Sequence, residues 1–391
     1  VVRVVKALVG LLALVTLACG APPPQAPPVG GPDAGEAGDA GDDGGAPDAG
    51  PLDAGAVDGG ALAGDAGPPD AGAPNPLRFD VPPLTWAFVP LPETRCANGS
   101  TTGVGVNLNP ASNEVLVYFV GGGACWNLAT CGVGTSANVR RGYGAAEFAA
   151  DGVKGWAMFS RQEPRNPFRE LSLVVVPYCT ADVHAGTQVK TYDGLLTVHH
   201  LGARNVDALL PRLVATFPSA RRLVLVGSSA GGFGAQLNAP KFVAAFPAAR
   251  VDVLADSAQL VNPAGPRLAE WVAAWGVQVP AACAGCANDF PRFLDHLLAT
   301  YPGARFGLLA SMQDTTLTPF FNYGLDVLGF ATATSGVLAR YDGTTNGTYF
   351  ARTSPRHTWL EFVTRVSGND DTATFDWVQG FLRGDLDRRR P

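Results

Sequence analysis

The chain has 391 residues, with 28 basic against 34 acidic side chains and a formal net charge of −6. The acidity is local: ten of the acidic residues and no basic ones lie between residues 20 and 77, and from Arg78 onward 26 basic residues face 24 acidic ones. That near-neutral remainder carries no basic cluster and no nucleic-acid motif, which argues against a nucleic-acid partner, and the overall acidity says nothing about what the folded part binds.

In chain order, "VVRVVKALVGLLALVTLAC" places Arg3 and Lys6 ahead of an apolar run from Ala7 to Ala18. The run is shorter than the roughly 20 residues a membrane-spanning helix needs, and charge followed by a short apolar stretch is the order of a secretory signal. Ala18, Cys19 and Gly20 match a bacterial lipoprotein processing site, with Cys19 as the lipidated first residue of the mature protein. An ordinary cleaved signal with Cys19 incidental is the plainer alternative. Residues 20–77 repeat Asp-Ala-Gly among Pro, Gly and Ala, too few apolar side chains to offset the entropy of ordering, so a disordered tether is expected. The expected organisation is a secretory, lipoprotein-type signal over 1–19, a linker over 20–77 and one folded domain over 78–391. Such a protein is secreted or held at the cell envelope, and meets a membrane only through a lipid on Cys19.

The folded part reads as α/β. Apolar runs of strand length fall at Val115–Val120, Leu171–Pro177, Leu223–Val226, Val251–Ala255 and Phe306–Ala310. They are rich in Val and Leu and barely alternate, as strands covered on both faces do. Between them, "TVHHLGARNVDALLPRLVATF" carries Leu201, Val206, Leu210 and Val214 as a loose helical face. "DFPRFLDHLLATYP" repeats the pattern, with Asp289 as N-cap and an end near Pro302. Strand and helix in alternation predict a mostly parallel central sheet with helices on both faces.

Two corners carry the chemistry. "VYFVGGGACWN" leaves the first strand through three glycines, whose bare backbone lets N–H groups approach a ligand. Gly122 and Gly123 are the candidate oxyanion donors there. "RRLVLVGSSAGGFGAQ" leaves a later strand through Gly227-Ser228-Ser229-Ala230-Gly231, a G-x-S-x-G pattern, and enters a helix. In a nucleophile elbow the central serine sits on a tight strand-to-helix turn and its neighbours must be small. Ser229 is the candidate nucleophile, Ser228 its structural neighbour, and Ala230 the third oxyanion donor. The segment lacks the Gly-Lys-Ser/Thr of a phosphate loop and the G-x-G-x-x-G of a dinucleotide loop. No cofactor and no metal site is expected.

In folds of this kind the acid and then the base follow the serine. After Ser229 only His296 and His357 remain. His296 lies mid-helix in "FLDHLLATYP", whereas His357 in "RTSPRHTWL" sits in a loop near the C-terminus and is the candidate base. Asp314 after "RFGLLASMQ" is the favoured acid. Asp256, ending "VDVLAD", is the alternative, or else a buttress of the elbow. "RRR" at 388–390 reads as a solvated tail. Six cysteines follow Cys19, namely Cys96, Cys125, Cys131, Cys179, Cys283 and Cys286. An even number behind a secretion signal favours disulfides, with about 15 pairings open. Cys283-x-x-Cys286 lacks the further ligands of a zinc site and reads as a small disulfide loop.

Taken together, "GGGACWN" with Cys131 after it, "VVPYCTADVHAG", "HHLGARNV", "GSSAGGFG", "ADS", "QDTT" and "HTWL" resemble the pectin acetylesterase family of Notum-like serine carboxylesterases, in family order. The resemblance implies an α/β-hydrolase-like fold and a Ser229–Asp314–His357 triad. It also implies disulfides pairing Cys96 with Cys179 and Cys125 with Cys131. The expected activity is hydrolysis of O-acyl esters through an acyl-enzyme, commonly acetyl on an acylated carbohydrate. Ala124 stands where the family often has a bulky residue. The alternatives are a non-catalytic envelope carbohydrate-binding lipoprotein and an acyltransferase using the same three residues.

Overall fold

The computed structural model describes residues 77–360 and 369–389. The expected signal, Cys19 and all of the linker except Leu77 lie outside the described residues. The strands are β1 Ala87–Leu91, β2 Thr102–Asn107, β3 Glu114–Phe119, β4 Ser172–Val176, β5 Gln188–Tyr192, β6 Leu196–His200, β7 Arg222–Ser228, β8 Arg250–Asp256, β9 Phe306–Ser311, β10 Gly347–Arg352 and β11 Arg388–Arg389. The helices are α1 Leu128–Gly132, α2 Ala145–Ala150, α3 Gly202–Thr216, α4 Ala230–Ala245, α5 Arg267–Trp275, α6 Phe290–Thr300, α7 Leu317–Phe320, α8 Val327–Asp342 and α9 Asn369–Arg383.

Nine strands form one sheet in the order β1-β2-β4-β3-β7-β8-β9-β10-β11. β1 pairs with β2, and β2 with β4, antiparallel; from β4 to β11 every neighbour is parallel. This is the expected α/β-hydrolase-like architecture. The near-continuous apolar runs have a direct cause: alternate residues of one strand enter opposite layers. Val115, Val117 and Phe119 join a core with Val206, Leu209 and Leu213 of α3 and Phe242 of α4. Leu116 and Tyr118 join another with Trp377, Val378 and Phe381 of α9.

The five expected strands correspond to β3, β4, β7, β8 and β9, shifted by a residue or two at their ends. The helix read from Thr197 begins only at Gly202; Leu196–His200 pairs with β5 as an antiparallel hairpin. β-Branched Thr197 and Val198 suit the strand. The buried Asp182 carboxylate accepts the Gly202 N–H at 2.7 Å, which fixes where the helix starts. Asp289 caps α6 by accepting the Arg292 N–H, as its position suggests. The arginine tail is not wholly solvated. Arg388 and Arg389 pair beside Tyr349 and Phe350 as an edge strand, and the Arg388 guanidinium donates to the carbonyls of Gly347 and Thr344. Residue 390 lies outside the described residues. Among these residues no helix is long and apolar enough to cross a membrane.

The topology brings the chemistry to one edge. The glycine loop follows β3, Ser229 follows β7, Asp256 ends β8 and Asp314 follows β9, all at carboxyl ends of parallel strands. Ligands of open α/β sheets bind at that edge.

Candidate active site

The serine corner is set by backbone crowding. Ser229 has φ 56° and ψ −126°, a left-handed conformation costly for a residue with a side chain, between the end of β7 and the start of α4. A Cβ on Gly231 would lie 1.9 Å from the Phe119 carbonyl oxygen, so the helix reaches β3 this closely only without one. The Ser229 N–H donates to the Asp256 carbonyl at 2.8 Å, which ties the corner to β8.

The structure brings three sequence-predicted side chains into line. His357 Nε2 lies 2.7 Å from Ser229 Oγ, and His357 Nδ1 lies 2.8 Å from Asp314 Oδ2. The carboxylate is fully buried and can only accept when ionised, so Nδ1 carries the proton and the Nε2 lone pair faces the serine hydroxyl. Asp314 Oδ1 is occupied by the N–H groups of Thr316 at 2.9 Å and Leu317 at 2.8 Å, which leaves Oδ2 for the ring. The imidazole side chain is 23 % exposed, open enough to meet a substrate. His296 sits on α6, its Nδ1 next to Thr300 Oγ1. The other candidate acid, Asp256, is turned to other partners. Its carboxylate accepts from Ser228 and from the main chain of Trp359 and Leu360.

The glycine loop is held from outside itself. The Ala137 N–H donates to the Gly122 carbonyl at 2.8 Å, and the Tyr178 hydroxyl to the Gly123 carbonyl at 2.7 Å. In a trans peptide the C=O and N–H point opposite ways, so the held Gly122 carbonyl sets the direction of the Gly123 N–H, and the held Gly123 carbonyl that of the Ala124 N–H. Gly123, at φ +72°, has no room for a side chain, since a Cβ would lie 2.2 Å from the Thr135 carbonyl oxygen. Ala230 opens α4, where the first helical N–H groups have no partner inside the helix.

Sequence reasoning gave no role to the segment that braces this loop. Ala181, Val183 and His184 all have positive φ, between 51° and 59°. The buried Asp182 carboxylate gathers them by accepting from Thr180 Oγ1 and from the N–H groups of His184, Gly186 and Gly202. Burial pushes Asp182 up to about 6, against the pull of those donors. Burial pushes His184 down to about 4, so its ring is neutral at neutral pH, and its Nε2–H donates to the Val120 carbonyl at 2.9 Å. Tyr178 is likewise pushed well above its ordinary range by burial. The sequence marked this segment only as the family-like stretch "VVPYCTADVHAG", with no role for its residues.

The sulfurs are joined as Cys96–Cys179, Cys125–Cys131 and Cys283–Cys286. Among the described residues one group could be read as metal ligands, Cys125, Cys131 and His200. Its two sulfurs are bonded to each other and offer no thiolates, and both ring nitrogens of His200 have partners, Tyr192 Oη and the Thr180 carbonyl.

The family description Pectinacetylesterase matches residues 87–275, a span that holds the glycine loop and the serine corner and stops before Asp314. Palmitoleoyl-protein carboxylesterase notum2 of Xenopus laevis is 31 % identical over 145 residues, which is 37 % of this chain and 29 % of that protein. Palmitoleoyl-protein carboxylesterase NOTUM of Schmidtea mediterranea is 30 % identical over 151 residues, 37 % of this chain and 27 % of that protein. The matches thus span under a third of the length of these relatives. A crystal structure of the Wnt deacylase Notum from Drosophila superposes with a TM-score of 0.57 at 17 % identity, covering 79 % of this chain and 96 % of that one. That likeness establishes the fold.

Proposed function

We propose, from the premise that the chain belongs to the pectinacetylesterase and Notum-like esterase family, that it is a serine ester hydrolase removing short O-acyl groups, acetyl first, from a carbohydrate. The observation that carries the reading is the His357 ring set between the Ser229 hydroxyl and the Asp314 carboxylate. In this reading His357 Nε2 takes the serine proton as Oγ attacks the ester carbonyl carbon. The carbonyl oxygen becomes an oxyanion and accepts from the N–H groups of Gly122, Gly123 and Ala230. As the tetrahedral species collapses, the imidazolium returns the proton to the departing alkoxide and an acyl-serine remains. Water then adds to the acyl-serine, giving its proton to His357, and the second collapse releases the carboxylic acid and restores the Ser229 hydroxyl. Asp314 holds the ring in the required tautomer and stabilises the imidazolium.

One feature supports a short acyl group: the matched family description is that of acetylesterases. The division into signal, linker and domain, with secretion and a lipid on Cys19, belongs to the same proposal. Metabolic labelling with a fatty-acid analogue, lost in Cys19→Ala, checks the anchor.

The test of the function is a panel of p-nitrophenyl esters of rising acyl length, run on the protein and on Ser229→Ala. Serine-dependent turnover that falls steeply beyond acetyl supports the reading. Turnover of long chains in preference moves the substrate towards lipid esters. Turnover that survives in Ser229→Ala, or is absent from both, overturns the hydrolase. A sugar acceptor added to the same assay would divert acyl groups from water if the enzyme were a transferase.

A further inference from the structure

Asp256 has no place in the proton path above, yet it is among the most heavily engaged side chains near it. It ends β8, pairs with Ser228 across the sheet and is fully buried. Its carboxylate accepts from Ser228 Oγ at 2.8 Å, from the Trp359 N–H at 3.0 Å to each oxygen, from the Leu360 N–H at 2.9 Å and from Ser257 Oγ at 3.3 Å. Tyr118 Oη donates in turn to Ser228 Oγ at 3.0 Å. The main-chain carbonyl of Asp256 accepts the Ser229 N–H at 2.8 Å. One residue therefore touches two segments far apart in sequence. Through its carbonyl and Ser228 it holds the serine corner; through its carboxylate it holds the chain two and three residues beyond His357.

We propose that Asp256 is a positioning residue that sets the register between the Ser229 corner and the His357 loop. The donors around it explain why a carboxylate is needed. The two main-chain N–H groups can only donate, and Ser228 has one proton, given to Asp256 because its lone pair already receives Tyr118. An amide would turn an NH₂ towards one of these donors, and an apolar residue would leave buried N–H groups without acceptors. The His357 loop is tied on both sides of the ring: before it, Ser354 and Pro355 accept from Gln313 and Thr315 beside Asp314; after it, Trp359 and Leu360 are tied to Asp256, the one of these ties that also reaches the serine corner. Misplacement by about an ångström costs on the order of 10²-fold in rate without touching the substrate.

The kinetic part rests on the serine-hydrolase reading proposed above; the mechanical coupling of the two segments does not, and the test separates them. Asp256→Asn is compared with the parent in steady-state hydrolysis of p-nitrophenyl acetate and in amide hydrogen exchange, with circular dichroism as the check on folding. Expected are a kcat lower by about 10- to 100-fold, a KM within about threefold, and faster exchange at the Trp359 and Leu360 amides. A kcat within threefold of the parent, a loss expressed in KM, or unchanged exchange at those amides overturns the proposal. If Asp256→Asn does not fold, Ser228→Ala removes one donor and keeps the carboxylate. It is expected to lower kcat about three- to tenfold at constant KM, and an unchanged kcat overturns the proposal. Should the parent show no Ser229-dependent hydrolysis, the hydrolase reading fails while the exchange comparison still decides the role of Asp256.

Discussion

The serine corner and the glycine loop would face the same substrate oxygen, yet they are held by different means. The corner carries its own constraint: Ser229 is locked at positive φ between a strand and a helix, and Gly231 lets α4 approach the Phe119 carbonyl. The glycine loop is also crowded at Gly123, but glycines leave its backbone free to turn, so it depends more on outside bonds. Its carbonyls are held by Ala137 and Tyr178, and the Val120 carbonyl before it by His184, from segments up to 64 residues away. The corner is wedged between neighbouring strands of the same sheet, by the Phe119 carbonyl of β3 and the Asp256 carbonyl of β8. A loop held by borrowed bonds is only as good as the residues that lend them.

That contrast is open to attack, beginning with the largest effects. Ser229→Ala or His357→Ala should lower kcat by about 10⁴- to 10⁶-fold, and the double variant should be hardly worse than either, as for residues acting as a unit. Steady-state kinetics of the three proteins checks this, and multiplicative losses would break the unit. Asp314→Asn should cost about 10⁴-fold, because the amide lets the ring take the wrong tautomer. A loss under tenfold would transfer the acid's role elsewhere. Tyr178→Phe should act on the glycine loop alone. With the Gly123 carbonyl and the Val183 N–H unpartnered, stability should fall by about 1–3 kcal/mol and kcat by about tenfold, at a nearly constant KM. An unaltered kcat in a destabilised protein would show that the loop keeps its shape unaided.

The smallest effect is in the pH profile. An imidazole ordinarily titrates near about 6.5, and protonation removes the base, so activity should fall as the pH drops through that range. His184 and His200, both pushed down to about 4 by burial, stay neutral there and contribute nothing. Asp182 and Asp256, pushed up to about 6 by burial, gain protons in the same window, and each then loses an acceptor site that its donors use. Ser228, Ser257, Trp359, Leu360 and the charge on His357 face Asp256; Thr180, His184, Gly186, Gly202 and Tyr178 face Asp182. The acid limb of kcat/KM should therefore be steeper than one proton, and a limb of unit slope would separate these carboxylates from catalysis.

What could be read from the sequence follows the same division. Five parallel strands, β3, β4, β7, β8 and β9, were legible because both faces of each are covered and their apolar runs are continuous; β10 and the edge strand β11, also parallel, were not read. The serine corner was legible because crowding demands small residues at fixed offsets. The β5–β6 hairpin was not, since Thr197–His200 runs directly into α3 and only the distant Asp182 decides where the helix starts. β1 and β2 were hidden by Pro90, Gly103 and Gly105, and by an antiparallel setting outside the strand–helix alternation. Asp256 was legible as an alternative acid or a buttress of the elbow, but not as a tie to the His357 loop, because its partners Trp359 and Leu360 lie over a hundred positions away. The braces at Tyr178, Asp182 and His184 lay within the family-like stretch "VVPYCTADVHAG", but their work on the glycine loop depends on contacts up to 64 positions away that the sequence does not show.

The most direct measurement is mass spectrometry of the protein quenched within its first turnovers of p-nitrophenyl acetate. The account predicts an adduct of one acetyl group on the peptide containing Ser229, absent from Ser229→Ala and accumulating in His357→Ala only at a greatly reduced rate. Turnover with no adduct, or with the acetyl group on another residue, would contradict it.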